Sequence, residues 1–104
     1  MRYQKTCPLV VLVATLLSAG CGSPPQMGLD RGVFTTVDAL YTAVGIKDMK
    51  QVDRCDKTLR DLHAAGRLPE DAFQALQRII NRARDGGWDS ANSDLRWFMK
   101  GQKR

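Results

Sequence analysis

From Val33 onward, apolar residues recur every three or four positions, and no stretch shows the strict apolar–polar alternation of a half-buried strand. This period predicts four amphipathic helices. The first runs from about Thr36 to Val44, with Val37, Leu40, Tyr41 and Val44 on one face. Thr35 is its expected N-cap, with Asp38 three residues on. Gly45 is the expected residue just past its end, with Ile46 folded back on Tyr41. The second helix, about Met49 to Ala65, starts from Asp48 as N-cap with Gln51 three residues on. It carries the stripe Val52, Cys55, Leu59 and Leu62. On its wet side, Asp53–Lys57 and Lys57–Asp61 have the i,i+4 spacing of ion pairs.

Gly66 ends that helix. The third begins at Pro69, with Glu70 and Asp71 in the first turn, where the helix dipole favours anions. Its stripe is Ala72, Phe73, Leu76, Ile79, Ile80 and Ala83, and Gly86-Gly87 closes it. The fourth, about Trp88 to Lys100, buries Trp88, Ala91, Leu95 and Phe98. Short connections make successive helices antiparallel neighbours, so the expected fold is all-α: a small three- to four-helix antiparallel bundle over residues 33–104.

The first thirty residues follow a different pattern. Arg2 and Lys5 precede Pro8–Ala19, a stretch without charge, and small residues follow it. A basic start, an apolar centre and a small-residue exit describe a secretory signal peptide over residues 1–20. The apolar run from Pro8 to Gly20 is 13 residues long. As a helix it would reach roughly 20 Å, against the ~30 Å hydrocarbon core of a bilayer. A permanent span is therefore the weaker reading.

The segment ends Leu17-Ser18-Ala19-Gly20-Cys21, which resembles the lipobox of bacterial lipoproteins. Ala19 and Gly20 fit that pattern. Ser18 stands where the family usually has Leu, with Leu17 one step further out. The resemblance implies cleavage before Cys21, a diacylglyceryl group on the Cys21 thiol and acylation of the new amino terminus. The lipid bilayer then becomes the first partner, through acylated Cys21. It also implies a site in the cell envelope. Asp after the acylated cysteine usually means inner-membrane retention in this family. Gly22 stands there, which implies the outer membrane, facing the periplasm. Residues 21–32, rich in Pro and Gly, read as the lipidated cysteine followed by a tether that holds the domain off the surface.

Loss of residues 1–20 lowers the formal net charge from +5 to +3, because two of the 16 basic residues leave while all 11 acidic ones stay. That is too even a balance for the concentrated basic stripe of a nucleic-acid-binding protein, so no nucleic acid is expected as a partner. The cysteines are Cys7, Cys21 and Cys55. With Cys7 removed and Cys21 acylated, Cys55 has no partner for an internal disulfide. There is no second histidine and no Cys-x-x-Cys, so no zinc site is expected. No phosphate loop or dinucleotide fingerprint occurs, and no cofactor or metal is expected.

Cys55 and His63 are the only candidates for a nucleophile–base pair. Eight residues along one helix separate them by roughly 12 Å, too far for a hydrogen bond. Cys55 sits mid-stripe and reads as a buried, inert thiol. His63 falls in the last turn, where it suits the helix C-terminus. Asp85, Asp89, Asn92 and Asp94 lack the spacing of a calcium loop. Two surface features stand out. Trp97 lies about 150° around the fourth helix from its apolar stripe, between Ser93 and Lys100, which suggests a partner or headgroup contact. Arg78 and Arg82 form an i,i+4 basic pair on the wet face of the third helix.

The hairpin Ala83-x-x-Gly86-x-Trp88-x-x-Ala91 resembles the turn of tetratricopeptide-like arrays. Residues 59–98 faintly resemble the helical domain shared by a vesicle-coat protein and the steroid receptor RNA activator. Both likenesses imply protein–protein contact. With "DALYTAV", "GRLPEDAF" and "GGWDSA", the mature stretch also resembles small planctomycete-type lipoproteins, which brings no activity with it. The expected function is a membrane-tethered lipoprotein with a protein-binding or structural helical domain, docking on an envelope protein complex, and not an enzyme. An accessory subunit or minor enzyme of such a complex is the alternative.

Overall fold

The structure is a computed structural model that describes residues 23–103. The expected signal peptide and Cys21 lie outside the described residues. Four helices follow in order: α1 (Arg31–Gly45), α2 (Met49–Ala64), α3 (Glu70–Arg84) and α4 (Trp88–Lys100), with no strand among the described residues. Consecutive helices pack on each other and α4 returns to α1, closing an all-α bundle. The short connections make the neighbours antiparallel. Residues 23–31, the α2–α3 connection and the α4 C-terminus therefore share one end. The α1–α2 and α3–α4 turns share the other.

The core draws one stripe from each helix. Leu40, Val52, Leu59, Leu76, Ile80, Leu95 and Phe98 are all fully buried. Every residue expected on the α2 and α3 stripes is buried, and Ala75 joins them. Trp88 is half-buried at the edge, whereas Ala91, Leu95 and Phe98 are buried as expected. Among the described residues no helix is long and apolar enough to cross a membrane.

α1 starts five residues before the sequence expectation. Its N-cap is Asp30, not Thr35: Asp30 Oδ1 accepts from Gly32 N–H at 2.8 Å and from Val33 N–H at 3.2 Å. Asp is among the strongest capping residues, and Val33 extends the Val37, Leu40, Val44 stripe by one turn. The hydroxyl of Thr36 is inside the helix and donates to Gly32 O at 2.7 Å. The exit of α1 also differs. Gly45 remains helical and Lys47 takes the left-handed conformation, φ 57°, while Asp48 N–H donates to Ala43 O at 2.9 Å. The chain therefore reverses two residues later than Gly45 would allow. Ile46 stays 65% exposed instead of packing on Tyr41. The other two turns use glycine as expected, with φ 76° at Gly66 and 91° at Gly86.

Residues 23–30 depart most from expectation. The tether reading fails for them, because they form a strap docked on the bundle. Pro24 is buried and Met27 is only 2% exposed, inside the core. Gln26 and Gln102 clamp it. Gln26 Nε2 donates to Gly101 O at 3.0 Å, and Lys103 N–H donates to Gln26 Oε1 at 2.8 Å. Met27 N–H donates to Gln102 Oε1 at 2.8 Å, and Gln102 Nε2 donates to Pro25 O at 2.9 Å. The Pro24 ring occupies the space a side chain on Gly101 would need, so the close approach requires glycine there. Asp30 then ties the strap's end to the α2–α3 connection. Arg67 Nε donates to Asp30 Oδ2 at 2.8 Å and Nη2 to Oδ1 at 3.0 Å. That two-pronged contact from Arg67 holds the Asp30 carboxyl below the usual carboxylate range.

Candidate functional site

The three surface residues singled out in the sequence converge. Packing of α3 against α4 opens a shallow groove of about 170 Å³ lined by Ala75, Arg78, Ile79, Asp94, Trp97 and Phe98. Ala75, Ile79 and Phe98 are buried and form its apolar floor. Trp97 forms one wall and is 54% exposed. Arg78 stands on the other helix and makes no ion pair among the described residues. Arg82, one turn on, pairs with Asp94 across the groove, Nε to Oδ2 at 3.4 Å. The i,i+4 arginines thus divide. One neutralises Asp94, and the other leaves its guanidinium unpaired in the groove that Trp97 also lines.

This placement follows from the helix wheel. Leu95 and Phe98 direct α4 inward, so Arg96 and Trp97 between them on the chain turn away from the core. α3 supplies Ala75 and Ile79 at the seam, and the small Ala75 leaves room beside Trp97. The groove therefore offers an apolar floor, an amphipathic aromatic wall and one uncompensated positive charge. Those features fit an apolar side chain with a carboxylate close by.

The remaining candidates lie elsewhere. Cys55 is buried, and burial pushes its thiol above the ordinary range, which makes it a poor nucleophile. His63 stacks on Phe73, with ring centroids 4.0 Å apart and an interplanar angle of 6°. Its Nε2 lies 2.6 Å from Glu70 Oε1, so a carboxylate on α3 engages this ring beyond what the α2 C-terminus provides. Gln74, donating to Glu70 Oε2 at 2.7 Å, and then His63 hold the Glu70 carboxyl below its usual range. No group of three or more His, Cys, Asp or Glu residues is placed to hold a metal ion among the described residues.

The sequence reading missed a charge cluster between α2 and α3 that is built on a buried carboxylate. Asp56 is 7% exposed. Its Oδ1 accepts from Gln77 Nε2 at 2.7 Å and faces Arg60 Nε at 3.2 Å. Its Oδ2 accepts from Arg84 Nη2 at 3.0 Å. Arg84 also grips Asp53, so Asp53 pairs across the helix interface and not with Lys57 along its own helix. Of the two expected α2 pairs, only Lys57–Asp61 forms, at 3.8 Å and fully at the surface. The signal was present: Asp56 is four residues after Val52 and three before Leu59, squarely on the buried stripe. Asp56→Ala should destabilise the domain by about 1–3 kcal/mol, because Gln77 and Arg84 lose an acceptor at a partly buried interface. The loss stays below that of a fully buried ion pair, since Arg60 and Arg84 reach water. Urea unfolding of the two proteins measures it.

Comparison with protein-family models found no match, and comparisons with curated proteins and with solved structures found none either.

Proposed function

We propose that this chain is a bacterial lipoprotein, anchored by acyl chains on Cys21, whose helical domain binds a partner protein of the cell envelope in the α3–α4 groove. The observation that carries the anchor is the order of residues before Cys21: two basic residues, an uncharged apolar run too short to span, then Ser-Ala-Gly-Cys. One acyl chain holds a protein only marginally, whereas two or three make release slow. With Gly22 after the cysteine, the outer membrane facing the periplasm is the proposed location. For the domain, the groove supports a binding role. It joins Trp97 to the unpaired Arg78 over an apolar floor. The partner segment it suits carries an apolar side chain next to an acidic one.

Intact-mass measurement of the mature protein tests the anchor. The expected result is a chain starting at Cys21 and carrying acyl groups, and an unmodified chain starting elsewhere overturns it. Crosslinking in native envelopes, with wild type and Trp97→Ala side by side, tests the groove. Trp97→Ala should shift domain stability by less than about 1 kcal/mol, since half of the ring is already wet, yet abolish the crosslinked adduct. An adduct that survives the substitution places the partner elsewhere.

A further inference from the structure

The docked strap has a consequence for how the bundle meets the membrane. Pro24 is buried against the α4 C-terminus, and it lies three steps along the chain from Cys21, with only Gly22 and Ser23 between them. Even fully extended, those three steps reach only ~10–11 Å. A chain held by Cys21 therefore has almost no slack before it becomes part of the folded domain. The Gln26 and Gln102 contacts fix the point of attachment to one end of the bundle, beside Gly101 and Lys103.

We infer that the bundle stands end-on against an anionic bilayer surface, with the strap end down and the α1–α2 and α3–α4 turns pointing away. This rests on the Cys21 anchor proposed above. The chemistry of that end suits the surface. Leu29, near the C-terminal end of the strap, is 76% exposed. Arg31, Lys100 and Lys103 are exposed and make no ion pair among the described residues. The acidic groups there are engaged: Asp30 by Arg67, Glu70 by His63 and Gln74, and Asp71 by the Ala72 N–H. The opposite end carries both signs: exposed Lys47 and Lys50 at the α1–α2 turn stand against exposed Asp85 and Asp89 around the Gly86-Gly87 turn, none of the four in an ion pair among the described residues. An anionic surface therefore attracts the first end and exerts little net pull on the second, over a range of about 10 Å at ordinary salt. The geometry also leaves the α3–α4 groove on the flank of the upright bundle, open to a partner.

Depth-dependent quenching tests the orientation on the full acylated chain. Wild type is first checked for acyl groups on Cys21 by intact mass. In a Cys55→Ala background, a fluorophore is placed at Leu29→Cys or at Ser90→Cys. Each protein is reconstituted into phosphatidylethanolamine–phosphatidylglycerol vesicles containing headgroup-spin-labelled lipid. The expected result is quenching at position 29 at least threefold stronger than at position 90, with the contrast persisting in vesicles of half the anionic content. Equal quenching at both positions in acylated protein overturns the orientation and leaves the anchor standing. A mass that shows Cys21 without acyl groups overturns the anchor reading and the orientation together.

Discussion

Phe98→Ala should destabilise the domain by about 3–5 kcal/mol. Phe98 is 1% exposed, the largest of the fully buried side chains. It sits where α4 meets both the core and the floor of the α3–α4 groove. Its removal leaves a cavity between elements joined by short, tight turns, which limits collapse of the site. At roughly 0.05–0.15 kcal/mol per residue, a domain of this length has on the order of 4–12 kcal/mol in total. The substitution therefore removes a large share of it, and at the bottom of that range it unfolds the protein. Guanidinium unfolding followed by far-UV circular dichroism measures the change as a fall in midpoint at unchanged slope. A shift below about 1 kcal/mol would mean that the groove closes over the vacancy. The neighbour Trp97 gives the contrast. Adjacent in sequence, it faces out, and its truncation should hardly move the same midpoint.

The contrast between Phe98 and Trp97 was legible in the sequence because both follow from one helical period. The same holds for α2, α3 and α4, each of which begins at a local signal: Asp48, Pro69 or the Gly86-Gly87 pair. Each carries a stripe long enough to define its inward face. The start of α1 was harder to read. Thr35 was the expected cap, and it is the packing of Val33 into the core that moves the start to Asp30, five residues earlier. Asp56 was hidden by its type. A charged residue on an apolar stripe reads as a surface residue until Arg84 and Gln77 arrive from the next helix. The groove was half legible. Trp97, Arg78 and Arg82 each stood out as exposed, but their meeting depends on how α3 and α4 are laid together.

The strap was not legible at all, and the reason is physical. Ser-Pro-Pro-Gln-Met-Gly has the composition of a linker, and no periodicity marks a six-residue stretch as docked. Its partners lie 75 or more residues away, just beyond the end of α4. Only one residue carries a hint, a long apolar side chain in an otherwise polar segment, and that residue is Met27.

Met27→Ala should therefore lower stability by about 2–5 kcal/mol, the range for truncating a buried methionine. This holds if the strap belongs to the cooperative unit. Its four clamping hydrogen bonds to Gly101, Gln102 and Lys103 argue that it does. A terminal segment can also peel away by itself, however, and then the loss is capped at the free energy of undocking. Hydrogen exchange separates the two cases. In the cooperative case, the Met27 and Lys103 amides exchange with the same opening free energy as the α4 core, and Met27→Ala lowers all of them together. In the peeling case, those two amides exchange early, and Met27→Ala speeds them alone while Leu95 and Phe98 stay protected. The outcome matters for the membrane as well. An undocked strap adds the whole of residues 23–30 to the reach from Cys21, roughly 25–30 Å of extended chain. For a chain anchored at Cys21 as proposed, that length frees the bundle from the end-on posture, and the Met27 contact that completes the core also sets the height of the domain above the bilayer.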